Sequence, residues 1–183
     1  MHRNKLIQLL ETYQPVDNEE VLYKDQTLSF IKNNPNCFDR SLLEGHITAS
    51  AWLLTEDYKR ALLLHHAKLD IWVQVGGHCD GHSDPLEVAI KEAKEESGLP
   101  HIIPVFETIF DLDIHQIPQK KSEPMHYHYD IRFLLRAIGS DSYQKNHESK
   151  AIQWIDLDSK TLPTQNRSVI RMFEKWKAQQ GSL

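Results

Sequence analysis

Residues 76–99 read GGHCDGHSDPLEVAIKEAKEESGL. The second half has the marks of a helix. Asp84 can cap it, Pro85 suits its first turn, and Gly98 suits its end. Leu86, Ala89, Ile90 and Ala93 form an apolar stripe at helical spacing. Glu92, Glu95 and Glu96 stand at i, i+3 and i+4, so their carboxylates share one face. Three acids so close repel one another unless a cation lies among them. Gly76 and Gly77, upstream, let backbone approach the same point and offer a carbonyl as a further hard ligand. Glu-rich helices are commonly just solvated surfaces. Here the preceding strand and glycine pair favour a site, and oxygen-only ligands select Mg2+ or Mn2+ over zinc.

The surrounding pattern supplies the frame. Ile71–Val75 reads as a short strand running into the glycines, and 46–54 with 61–67 reads as a hairpin turning at 55–58. Further strands are expected at 103–114, 126–137 and 151–156. A last helix, 166–178, carries Val169, Ile170, Phe173 and Trp176. Residues 115–125 and 139–149 read as exposed loops. Upstream, Leu6, Leu9, Leu10 and Tyr13 mark one helix. A second, capped by Asp17 or Asn18, runs to about residue 33 with Val21, Leu22, Leu28, Phe30 and Ile31. The order suggests a mixed sheet covered by helices.

This pattern resembles the Nudix hydrolases, whose signature is Gly-x5-Glu-x7-Arg-Glu-U-x-Glu-Glu-x-Gly-U, with U a bulky aliphatic residue. Gly77, Glu92, Glu95, Glu96, Gly98 and Leu99 match in register. Ser83 stands where the first glutamate belongs, Lys91 where the arginine belongs, and Ala93 where a larger aliphatic belongs. The arginine of the family mainly orients the box through a salt bridge to that first glutamate. Ser83 cannot pair with a cation, so Lys91 is expected to lack its usual partner. The resemblance covers about residues 45–178. It implies an α/β fold, an α/β/α sandwich with a mixed sheet at 45–183, preceded by a helical extension at 1–44.

The resemblance also implies the chemistry. The Gly76 carbonyl, Glu92, Glu95 and Glu96 would hold Mg2+ or Mn2+, and Glu92 or Glu95 could polarise the attacking water. A further acid usually comes from a late loop before a Trp-bearing strand, and Glu148, ahead of Trp154, fits that place. The activity implied is hydrolysis of a diphosphate linkage in a nucleoside diphosphate derivative or related pyrophosphate. Homodimers are frequent among such proteins. Two other readings stay open: a nucleotide-binding module without turnover, and a non-hydrolytic metal-dependent enzyme on the same scaffold.

Histidine is abundant, with 11 residues. His126, His128 and Asp130 alternate along one expected strand and share a face, with Tyr127, Tyr129 and Ile131 opposite. That face is an ordinary hydrogen-bonded sheet surface, or it contacts phosphate, moves protons or ligates a second metal. His78, beside the glycines, is a candidate substrate contact. His65-His66 reads as structural.

Bulk composition sets the bounds. The 183 residues carry a net charge of −5, 40% hydrophobic and 26% charged residues. No clustered basic face appears, which argues against a nucleic-acid polymer as partner. No apolar run is long enough for a membrane span. Two cysteines, Cys37 and Cys79, suggest a reducing compartment, and the N-terminus lacks a signal-peptide pattern. The cytoplasm is the expected location.

Overall fold

Asp17 and Asn166 each cap a helix. The Asp17 side chain accepts from the Glu20 amide at 2.8 Å, and Asn166 accepts from the Ser168 amide at 3.0 Å. These caps open α2 (Asn18–Asn33) and α4 (Arg167–Ala178), with α1 (Asn4–Thr12) and α3 (Pro85–Ser97) completing the helices. The strands are β1 (Gly45–Leu54), β2 (Arg60–His66), β3 (Trp72–Val73), β4 (Val75–His78), β5 (Ile102–Pro104), β6 (Asp111–Ile117), β7 (His126–Ala137) and β8 (Ser149–Asp156). The computed structural model describes residues 2–120, 124–144, 146–147 and 149–179. Strand pairing follows β3-β2-β1-β7-β5, with β4 on β1, β6 on β7 and β8 on β2.

The chain packs as two compact units. The first is Met1–Ser50, Gly77–Ala89 and Phe106–Phe133. In it β6 and β7 run antiparallel, from Asp111 opposite Arg132 to Ile117 opposite His126. Tyr129 stacks on Phe30 of α2, centroids 4.0 Å apart and planes 8° apart. On the face away from His126 and His128, Tyr129 is thus covered by α2, whereas Tyr127 is exposed. The buried face of α2 is Glu20, Thr27, Phe30 and Ile31, whereas Val21 and Leu22 are exposed. Glu20 tolerates burial because it accepts from the Tyr13 hydroxyl at 2.6 Å and the Val16 amide at 2.9 Å.

The second unit is Ala51–Gly76, Ile90–Val105 and Leu134–Leu183. Here β2 pairs with both β3 and β8. Helix α4 buries Val169, Met172, Phe173 and Trp176, the i, i+3, i+4, i+7 stripe of an amphipathic helix. Trp176 packs on Trp52 with centroids 6.1 Å apart. Truncating either ring would cost about 3–5 kcal/mol. Gly98 ends α3 at φ +71°, and a Cβ there would lie 2.8 Å from the Cβ of Gln144, so glycine is required twice over.

Four expectations need correction. The strand expected at 103–114 is two strands, β5 and β6, because 105–110 leaves the sheet. The Val105 and Phe110 amides each still bond β7, to the Leu134 and Arg132 carbonyls at 2.9 and 2.8 Å. Strand β6 runs on to Ile117, so the loop expected from residue 115 begins later. The strand expected to stop before the glycines resumes as β4 and carries Gly76 and Gly77 within it. Strand β8 starts at Ser149, where its backbone pairs with His66 beyond a register shift.

Candidate active site

The carboxylate face forms in the second unit. Glu96 is 7% exposed, and its Oε2 accepts from the Gly76 amide at 2.8 Å. The carboxyl group is therefore held against backbone rather than left in bulk water. The side chains of Glu92 and Glu95 are 17% and 58% exposed. Lys91 Nζ lies 3.0 Å from Glu92 Oε1 and 3.4 Å from Glu95 Oε2. Lys91 thus has partners other than residue 83, and both are proposed metal ligands. The hydrogen bond to Glu92, with the charges of Glu92 and Glu95, raises the Lys91 pKa against the opposing pull of burial. An ammonium already sits between two of the three acids, at the kind of place a divalent cation takes. The donor set is all hard oxygen, which fits Mg2+ or Mn2+.

Lys5 of α1 pairs with Asp84, the residue that caps α3 through its Oδ1 and the Leu86 amide at 3.2 Å. His82 pairs with Glu87 at 3.2 Å on the exposed side of the same turn.

The histidines gather in the first unit. His46 on β1, His78 at the end of β4 and His128 on β7 form a triangle with centroids 5.1, 5.0 and 4.7 Å apart. His126 lies beside His128, with Nε2 atoms 3.3 Å apart, and its Nδ1 donates to the Pro124 carbonyl at 3.0 Å. His115 of β6 is 5.2 Å from His128, and its Nδ1 is 3.1 Å from Asp113 Oδ2. Burial, then the neighbouring charges of His78, His126 and Arg40, pushes the His46 pKa down to about 4. Burial, then His115, His78, His46 and His126, pushes that of His128 down to about 2. Both rings are neutral at pH 7.

Asp130 is buried below this cluster in the strand register. It accepts from Thr48 Oγ1 at 3.0 Å, Ser50 Oγ at 2.7 Å and Arg132 Nε at 2.8 Å. Arg132 also reaches Asp111 and Asp113, each at 3.2 Å. Burial pulls the guanidinium pKa down, but Asp113, Asp130 and Asp111 together more than reverse it and leave it raised. The geometry gives Asp130 the role of bracing β1 and β7.

The sequence-derived candidates thus fall into two groups. Gly76 meets Glu96 in the second unit, where Lys91 bridges Glu92 and Glu95 on the same helix, and His78, His126, His128 and Asp130 lie in the first. Glu148 lies outside the described residues. His46 escaped the reading of the sequence. Its signal was the polar alternation His46, Thr48, Ser50 in an otherwise apolar strand, which puts it on one face with the partners of Asp130.

Residues 45–176 match the family model of the NUDIX domain. The chain belongs to the Nudix family. Solved structures agree on the fold. An Ap4A hydrolase from C. elegans, solved as a binary complex, is 19% identical and aligns over 75% of this chain and 98% of its own, with a TM-score of 0.59. A NUDIX-family hydrolase from Clostridium perfringens is 23% identical over 73% of this chain and 97% of its own, at 0.54. The E. coli dihydroneopterin triphosphate pyrophosphohydrolase is 17% identical over 72% and 94%, at 0.55. No curated protein matches the sequence. At these identities the likeness is one of fold: the Nudix α/β/α sandwich with a mixed sheet. Among the described residues, no helix is long and apolar enough to cross a membrane.

Proposed function

We propose that this Nudix protein is a divalent-metal-dependent hydrolase that cleaves a diphosphate linkage in a nucleoside diphosphate derivative or related pyrophosphate. One observation carries the reading. Three glutamates share one face of α3, Glu96 fixed by the Gly76 amide and Glu92 and Glu95 bridged by a cationic side chain. Family membership and a fold shared with solved Nudix hydrolases support it.

Glu92, Glu95 and Glu96, with the Gly76 carbonyl and Glu148, would hold Mg2+ or Mn2+, which supplies neutralisation of phosphate charge and a more acidic water. The chain's own residues do the rest. Glu96, fixed on Gly76, sets the orientation of the face. Glu92 or Glu95 accepts a proton from the attacking water as a new P–O bond forms. The bridging P–O bond breaks, and its electron pair leaves with the departing phosphate. Two phosphate-bearing products result. His78, His126, His128 and Asp130 are assigned to the substrate-binding face, Asp130 also bracing its strand. Residues 1–44 are assigned as a helical extension to a hydrolase domain at 45–183. Cys37 and Cys79, buried and not joined in a disulfide, favour a reducing compartment such as the cytoplasm.

The test is a panel of sugar nucleotides, dinucleotides, nucleoside triphosphates and non-nucleotide pyrophosphates, assayed with Mg2+ and with Mn2+. Metal-dependent release of two phosphate-bearing products supports the proposal. Binding without turnover across the panel would make the protein a nucleotide-binding module, a reading in keeping with Lys91 seated on Glu92 and Glu95.

A further inference from the structure

The carboxylate face makes no use of His46. This ring is 3% exposed, and neither Nδ1 nor Nε2 makes a hydrogen bond. The Leu42 backbone acts on the ring more weakly than burial or the neighbouring His78, His126 and Arg40. A buried imidazole with both nitrogens idle costs about 1–3 kcal/mol relative to one with a partner. Such a ring calls for an occupant, an ordered water or an ion.

His78 and His128 complete the surroundings. One nitrogen from each of the three rings can be chosen so that all lie within 4.8 Å of one another. A tetrahedral ion bound at about 2.0–2.1 Å holds its nitrogens about 3.4 Å apart and the ring centroids about 5 Å apart. The observed centroids, 4.7 to 5.1 Å apart, already have that spacing. The rings thus already stand at the separation such an ion requires. The second layer is also present. His126 Nδ1 bonds the Pro124 carbonyl, and its Nε2 lies 3.3 Å from His128 Nε2. A hydrogen-bonded neighbour of this kind orients a ligating ring.

We infer that His46, His78 and His128 form a second metal site, for a borderline transition ion of the Zn2+ class, different in kind from the oxygen site for Mg2+ or Mn2+. Three imidazoles favour Zn2+, Co2+ or Ni2+ and disfavour Mg2+, which demands oxygen ligands. Three protein ligands leave a fourth position open for water or an anionic oxygen, the arrangement of catalytic rather than structural zinc sites. The site stands whether or not the protein hydrolyses diphosphates.

The experiment is metal binding by chelator-stripped full-length protein. Zn2+ is titrated against a chromophoric chelator, and Co2+ is followed by its visible absorption. One equivalent of either ion should bind, with a Co2+ spectrum of low coordination number, and millimolar Mg2+ should not compete. His78→Gln and His128→Gln should each weaken Zn2+ binding about a hundredfold, and His46→Gln likewise. His78 is only half-buried, so that variant remains informative if the His46 variant misfolds, and circular dichroism checks each fold. Glu92→Gln with Glu95→Gln should leave Zn2+ binding intact, as should His65→Gln. The inference is overturned if no stoichiometric Zn2+ binds, if the three histidine variants bind as tightly as the wild type, or if only the glutamate variant loses it.

Discussion

The Gly76 amide donates to the Glu96 carboxylate at 2.8 Å. This bond fixes one of the three acids by backbone rather than by a side chain that could rotate away. Two substitutions separate its structural and chemical parts. Glu96→Ala removes the acceptor and should lower stability by about 1.5–3 kcal/mol, the range for hydrogen bonds to charged groups. Glu96→Gln keeps an oxygen for Gly76 but removes the charge. Its unfolding midpoint should stay close to wild type while metal affinity and any turnover fall sharply. Equal loss of stability in both variants would contradict this division of roles.

Lys91 competes with a divalent ion for Glu92 and Glu95. Exposed ion pairs are worth about 0.2–1 kcal/mol, so Lys91→Gln should tighten Mg2+ binding up to about fivefold and change metal-free stability little. Calorimetric titration with Mg2+ checks this. Weaker binding would mean that Lys91 supports the site instead of occupying it.

The guanidinium of Arg132 carries three buried carboxylates. Arg132→Met strands Asp111, Asp113 and Asp130 without a cation, and should cost about 3–5 kcal/mol in urea unfolding at pH 7. A loss under about 1 kcal/mol would show the network to be dispensable.

Cys37 is fully buried, and burial, opposed by Arg3, raises its thiol pKa from 9.0 to about 11. The folded state therefore disfavours the thiolate. Its contribution to stability is complete below about pH 9 and is lost as pH rises from about 9 towards about 11. Wild type should lose more stability over that window than Cys37→Ser. Alkylation at pH 8 should be slow until denaturant is added. Rapid alkylation of the native protein would contradict the assignment.

Much of this was legible in the sequence because local signals agreed. Asp17, Asp84, Pro85 and Gly98 mark helix ends by chemistry that acts within a few residues, and each does so in the structure. The three glutamates share a face through helical spacing alone. Other features depended on distant residues. Lys91 found Glu92 and Glu95 where the spacing had stressed only the missing partner at Ser83. His46 meets His78 and His128 through strand pairing, which spacing along one strand does not reveal. The break between β5 and β6 follows from bonding to β7, and the apolar run 102–114 carries no turn signal strong enough to mark it.

The most direct measurement of the central claim is the rate of diphosphate cleavage with Mn2+, comparing wild type, Glu96→Gln and the double variant His126→Ala with His128→Ala. The account predicts metal-dependent release of two phosphate-bearing products by wild type, a drop of at least about a hundredfold in Glu96→Gln, and a smaller drop in the double variant. Turnover that survives Glu96→Gln, or that depends more on the two histidines than on Glu96, would contradict it.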